Sequence, residues 1–233
     1  MAKIIFINSM KGGIGKSQVT VLAATALSSA PFNLKTAIVD VDEQKSIIGL
    51  REIDDGFYTG KKPPFDVLDM DANTLQQRIG ELDKTYQIIF IDAAGKLDVK
   101  VDALQQDISR SIMYADFLFM PFVAGNFNLA ANFKYLQFAR QIQSARQLTN
   151  RPLRVLGFIN MHRSRSRANQ FLIQDIDDMK NREQLKMMQA MLGDYAAFKE
   201  ADTFTSFYDP LSNDSSKTNF AEWLNEFVNI IQQ

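Results

Sequence analysis

The sequence predicts an α/β fold, a doubly wound and mostly parallel sheet flanked by helices, and three observations predict it. Six short apolar runs rich in β-branched residues recur along the chain. Segments with helical periodicity separate them. The runs are almost continuously apolar rather than alternating, the pattern of strands covered on both faces. Repeated strand–helix units of this kind close into a parallel sheet with right-handed crossovers.

In order, "KIIFIN" (3–8) is the first strand, and a helix is expected over 15–30, stopped near Pro31. "TAIVDV" (36–41) is the second strand, and the polar, turn-rich "EIDDGFYTGKKPP" (52–64) reads as a surface loop. "FDVLDM" (65–70) and "QIIFID" (87–92) follow, with helices over 72–84 and 98–113. "DFLFMP" (116–121), a helix over 127–148 and "RVLGFIN" (154–160) complete the strand–helix series. Residues 161–200 carry the weakest pattern. They open on "HRSRSR" and continue into helical segments, where Met179, Met187, Met188 and Met191 read as core filler and His162 as a surface or packing residue. In "NFAEWLNEFVNIIQQ", Phe220, Trp223, Leu224, Phe227, Val228 and Ile231 share one helical face, while the charged residues are Glu222 and Glu226. A membrane-surface helix favours a basic polar face, so this helix is expected to pack on the domain. No Gly/Ser linker, repeat or low-complexity tract interrupts the chain, and a single domain over 1–233 is expected.

The chain has 233 residues, 46% of them hydrophobic, enough for a sizeable core. It has no cysteine, which excludes disulfides, thiolate metal sites, cysteine nucleophiles and cysteine-held iron–sulfur clusters. No apolar run reaches the length of a membrane span, and "MAKIIFIN" is too short and strand-like for a signal peptide, so a cytoplasmic location is expected. The net charge of −1 hides an asymmetry. Residues 117–174 contain no Asp or Glu but hold Lys134, Arg140, Arg146, Arg151, Arg154, Arg163, Arg165 and Arg167, a formal +8 against −9 elsewhere. Such segregation suggests an acidic partner.

The chemistry centres on "INSMKGGIGKSQVT" (7–20). A strand, a glycine-rich loop and a helix in this order form a phosphate cradle. Gly12, Gly13 and Gly15 let backbone N–H groups turn inward, and the helix adds its positive end. Lys16 suits β- and γ-phosphates, and the Ser17 hydroxyl suits Mg²⁺. The generic phosphate-loop pattern would have glycine at Met10. Acidic partners stand at strand ends. Asp92 has the place of a Walker B aspartate supporting Mg²⁺. Asp40 and Asp42 follow the second strand and share a face, placing a carboxylate to orient an attacking water. Either strand-end aspartate has the alternative of capping the next helix, Asp40 above all.

"KGGIGKS" is similar to the deviant Walker A motif of the ParA/MinD family of ATPases, "IVDVDEQKS" to its second motif, and "YQIIFIDAAG" to its Walker B segment. "ADFLFMPFVAGNFNL", "VLGFINMHRSRSR" and "TFTSFYD" resemble its later strands and their exits, the last of them its final strand, so the likeness covers nearly the whole chain. It implies a P-loop NTPase of the deviant Walker A type that uses ATP and Mg²⁺. The nucleotide would lie against Gly12, Gly13, Ile14, Gly15, Lys16, Ser17 and Gln18, with Asn160 reading adenine and Ser17, Asp42 and Asp92 at the metal. Lys11, Lys16 and Asp42 would be the catalytic groups. Lys11 is the family's signature lysine, reaching phosphates on the other subunit of a dimer, and Asp42 its water-positioning residue. Met10 is compatible with the family. Gln18 replaces a Thr or Ser, Glu43 a proline, and Ala93-Ala94 the residues after Walker B, so slow, partner-stimulated hydrolysis is expected.

Within the family, membrane-riding members carry a basic C-terminal helix and self-repressing members an N-terminal extension. The short ParA type is what remains: an ATP-dependent homodimer, nucleoid-associated when ATP-bound, that binds DNA without sequence preference and positions DNA or cargo with a ParB-like adaptor. Arg163, Arg165 and Arg167 are the candidate DNA contacts. A role in conjugative DNA transfer shares every motif. A small-molecule ligase or metal-insertion protein on a related fold is the reading of another class, against which Lys11 and the absent cysteines argue.

Overall fold

Strand β1 (Lys3–Ile7) runs through the middle of the sheet and delivers the glycine loop to its carboxyl edge. The computed structural model describes residues 1–93 and 111–233, apart from the side chains of 126–129. Helix α1 (Lys16–Ser28) follows the loop, then β2 (Thr36–Asp40), α2 (Ser46–Phe57), β3 (Asp66–Asp69), α3 (Ala72–Thr85) and β4 (Ile88–Asp92). Beyond residue 110 come β5 (Phe117–Phe122), α4 (Asn126–Arg146), β6 (Arg154–Ile159), α5 (Arg167–Glu183), β7 (Lys186–Met187), α6 (Ala196–Lys199) and α7 (Ser215–Gln232). The strands lie in the order β3-β2-β4-β1-β5-β6-β7, and every pairing is parallel. This is the doubly wound α/β sheet the sequence predicts.

Alternation along the strands splits the core in two. Ile5 and Ile7 of β1 pack with Val19 and Leu22 of α1 and with Trp223, Leu224 and Phe227 of α7. Ile4 and Phe6 pack on the other face with Leu75 and Leu82 of α3, Tyr135 and Leu136 of α4, and Leu172 and Ile176 of α5. The six apolar residues singled out in the last helix are all buried, so α7 is a core helix. Met179 and Met188 are buried, and Met187 and Met191 pack against the core as expected of filler. Asp71 caps α3, accepting from the Thr74 amide at 2.6 Å. Such a cap contributes about 1 kcal/mol.

Two expectations meet a different outcome. Residues 52–57 are not loop but the second half of α2. Their polarity misleads because two of the helix's buried positions are charged: Arg51 and Asp54, on the face of Ile47. "TFTSFYD" (203–209) is not a strand. The Asp202 carboxylate accepts the amides of Phe204 and Thr205 at 2.7 and 2.6 Å and turns the chain. Asp54 takes the Thr203 amide at 2.7 Å, so that donor is unavailable to a sheet. The helix expected over 98–113 falls largely outside the described residues, and 111–114 are helical.

Candidate functional site

Loop 8–15 leaves β1 at the centre of the sheet, between the ends of β4 and β5. Gly13 and Gly15 have φ of +73° and +81°, in the region glycine alone adopts without strain. At Gly15 space forbids a side chain as well, since a Cβ would lie 2.8 Å from Asn160 Nδ2. The crowding comes from Asn160, which is buried at the end of β6, donates Nδ2 to the Ile14 carbonyl at 2.8 Å and ties strand to loop. The amide nitrogen of Val19 already bonds the Gly15 carbonyl at 2.9 Å, so α1 starts directly at the loop with its positive end toward it.

Lys11 and Lys16 bracket these glycines and differ in burial. Lys16 is 8% exposed, and its Nζ donates to the Lys11 carbonyl at 3.0 Å. Burial lowers its pKa, while the carboxylates of Asp92 and Asp42 work against that shift. The side chain of Lys11 is exposed.

Ser17 donates its hydroxyl to Asp92 Oδ2 at 2.8 Å. Asp92 is completely buried, and its Oδ1 has no partner among the described residues. Burial pushes its carboxyl up to about 7, the Ser17 bond pulls it down, and the neighbouring Asp40 charge adds to the rise. A buried carboxylate with one orphaned oxygen and a serine hydroxyl on the other fits a small, hard cation. Among the described residues no group of three or more His, Asp or Glu is placed to hold a metal. Mg²⁺ does not need one, since it is bound through one or two protein groups, substrate phosphates and waters.

The two aspartates after β2 part ways. Asp40 is buried and turned under α2: Oδ2 accepts the amides of Ile47 and Ile48 at 3.1 and 3.3 Å, and Oδ1 accepts that of Asp42 at 3.1 Å. The capping alternative therefore holds for Asp40. Asp42 is half-buried, its Oδ1 accepts the Gln44 amide at 3.0 Å, and its charge reaches Lys16. Gln18 lies beside Ser17 in a cavity of about 300 Å³ that Ile47 and Lys199 also line. Gly12 and Gly13 are exposed at the mouth of the loop. Ala94 and Gly95 lie outside the described residues.

The basic stretch does not form one surface. Arg146 donates to the carbonyls of Ile112, Ala115 and Arg151. Arg151 binds Asp116 and Asp83, and Arg140 and Arg154 cap carbonyls at helix ends. Arg163 is exposed but paired with Asp194, its Nε donating at 2.7 Å. Arg167 is exposed, with its guanidinium 5.5 Å from the Phe171 ring centre. Arg165 is exposed, with no ion pair or hydrogen bond among the described residues. Sequence reasoning counted the charges but had no signal for their acceptors, most of which are main-chain carbonyls. It also passed over Lys45, whose ammonium binds the Asp40 and Met70 carbonyls at 2.9 and 3.1 Å and Asp69 at 2.6 Å.

Residues 5–203 match the family described as the CobQ/CobB/MinD/ParA nucleotide binding domain. No curated protein matches the sequence. Among solved structures, a plasmid partition protein from Borrelia burgdorferi aligns with a TM-score of 0.64 at 19% identity, over 98% of this chain and 99% of that one. The cell division ATPase MinD of Pyrococcus furiosus aligns at 0.68 and 18%, over 99% and 100%. Cobyrinic acid a,c-diamide synthase from Mycobacterium smegmatis, bound to an ATP analogue and magnesium, aligns at 0.67 and 14%, over 100% and 97%. At these identities the likeness is one of fold.

Proposed function

The chain belongs to the CobQ/CobB/MinD/ParA nucleotide-binding family, and on that premise we propose that it is a ParA/MinD-type ATPase, an ATP-dependent dimerising switch that binds DNA non-specifically and positions DNA or cargo. The observation that carries this reading is the contrast between the two lysines: Lys16 buried with its ammonium bonded to the loop, and Lys11 exposed beside the same glycines. The buried lysine serves the phosphates of its own nucleotide. In our reading the exposed one serves a second subunit, which would couple hydrolysis to dimerisation as a cation supplied in trans does.

The residues then divide the work. Amides of the glycine loop and the start of α1 receive the phosphates. Lys16 exchanges the Lys11 carbonyl for phosphate oxygens, and its partial burial strengthens that contact. Ser17 and Asp92, with Asp42 nearby, are the residues that would hold Mg²⁺, which when bound supplies positive charge to the β- and γ-phosphates. Asp42, with one oxygen committed to the Gln44 amide, orients the attacking water with the other. Asn160, tied to the Ile14 carbonyl, is our candidate for the adenine contact.

The shared fold also accommodates small-molecule ligases, but Lys11 has no task in a monomeric ligase. Binding to random duplex DNA, measured with and without ATP and Mg²⁺, tests the proposal. Binding that requires ATP and weakens with salt supports it; no binding, or binding indifferent to both, overturns it.

A further inference from the structure

Lys45 occupies a backbone position that suits glycine, with φ of +47°. Its side chain is 31% exposed, and the ammonium donates to the Asp40 carbonyl at 2.9 Å and the Met70 carbonyl at 3.1 Å and forms an ion pair with Asp69 Oδ1 at 2.6 Å. These acceptors lie at the carboxyl ends of β2 and β3, so the side chain bolts those ends together. The same residue closes the loop that bears Asp42. The Lys45 amide donates to the Asp42 carbonyl at 3.0 Å, and the Lys45 carbonyl accepts the Gly49 amide at 2.9 Å in the first turn of α2. Asp42 is thus held from one side by Asp40, whose Oδ1 takes its amide, and from the other by Lys45.

We propose that Lys45 is a positioning residue for Asp42: its ammonium, fixed across the ends of β2 and β3, sets the loop that places the Asp42 carboxylate. The proposal rests on the reading of Asp42 as the water-orienting group. A lysine with a purely solvated role would have no reason to sit at a positive φ with its ammonium held by two carbonyls and a carboxylate. A packing role does not account for it either, because the contacts of its terminus are polar.

The test measures ATP turnover and nucleotide affinity for Lys45→Met and Lys45→Gly, each in the wild-type and Asp42→Ala backgrounds. Lys45→Met keeps the aliphatic stem and removes the charge. Lys45→Gly relieves the backbone, so loss of turnover there is not a loss of folding, and unfolding midpoints check this. Both variants are expected to lower kcat about tenfold or more with nucleotide affinity within about twofold, the signature of a misplaced group. In the Asp42→Ala background the Lys45 substitutions are expected to add no further loss. Unchanged kcat in the single variants, or an equal fold loss in both backgrounds, overturns the proposal while leaving Asp42 in its role. Wild-type turnover of Asp42→Ala alone overturns both together.

Discussion

The Ser17 hydroxyl donates to Oδ2 of Asp92 at 2.8 Å, joining the first turn of α1 to the end of β4 across the middle of the sheet. The bond stabilises the charged carboxylate, yet burial outweighs it and holds the group near 7. The sign of the consequence is fixed. An unfolded Asp loses its proton near 3.8, whereas the folded one keeps it to about 7, so folding binds a proton in between. Asp92 therefore makes the nucleotide-free protein less stable as pH rises from about 4 to about 7. Asp92→Asn keeps an acceptor for Ser17 and removes the titration. We expect the variant to gain on the wild type with rising pH, by the order of 2–4 kcal/mol between pH 4 and pH 8. Chemical unfolding at several pH values checks it. A difference that does not grow with pH would show that Asp92 is not protonated at the low end.

Arg51 and Asp54 meet at Thr203. Arg51 Nε donates to the Thr203 hydroxyl at 2.8 Å, and that hydroxyl donates to Asp54 Oδ2 at 2.8 Å. All three residues are buried, and Arg51 also binds the Phe65 carbonyl and covers its ring. Thr203→Val preserves shape and removes the shared hydroxyl, leaving a buried guanidinium and carboxylate each one bond short. A loss of about 2–3 kcal/mol is expected, read from urea unfolding. A loss below about 0.5 kcal/mol would mean water replaces the hydroxyl.

The sequence reveals strands more readily than it reveals this kind of bolt. β1, β2, β4, β5 and β6 are legible because burial on both faces leaves continuous apolar runs. The loop is legible because glycines, Lys16 and Ser17 are needed together at fixed spacing. α2 is not, since it buries charge where a pattern search seeks apolar residues. β7 is two residues long and carries no periodicity at all. Asp40 and Asp42 look equivalent in "VDVD", and only the amides of Ile47 and Ile48 mark Asp40 as the cap of α2.

Of the three arginines after β6, Arg163 is paired with Asp194, on which Lys199 also converges at 3.3 Å, while Arg165 and Arg167 have no ion pair among the described residues. DNA binding in the ATP state is therefore expected to depend on them unequally. Arg165→Gln and Arg167→Gln should each lower the slope of log affinity against log salt by roughly 0.9 for every phosphate no longer neutralised. Arg163→Gln should change it less. Titrations at several salt concentrations decide the order, and equal effects from all three would mean that Asp194 releases Arg163 on binding.

Lys11 and Lys16 lie five residues apart on one loop, and removing either charge separates two events. Lys16→Ala removes the buried ammonium that we assign to the phosphates and should abolish nucleotide binding outright. Lys11→Ala leaves Lys16, Ser17, Asp92 and Asn160 in place, because the link from Lys16 to residue 11 uses the main-chain carbonyl and survives the substitution. That variant should bind a non-hydrolysable ATP analogue within about threefold of wild type, yet lose at least tenfold in nucleotide-dependent dimerisation. Analytical sedimentation with and without the analogue, beside a fluorescent-nucleotide titration, measures both. A Lys11→Ala protein that dimerises like the wild type removes Lys11 from the interface. A Lys11→Ala protein that fails to bind nucleotide assigns the lysine to its own subunit's phosphates instead.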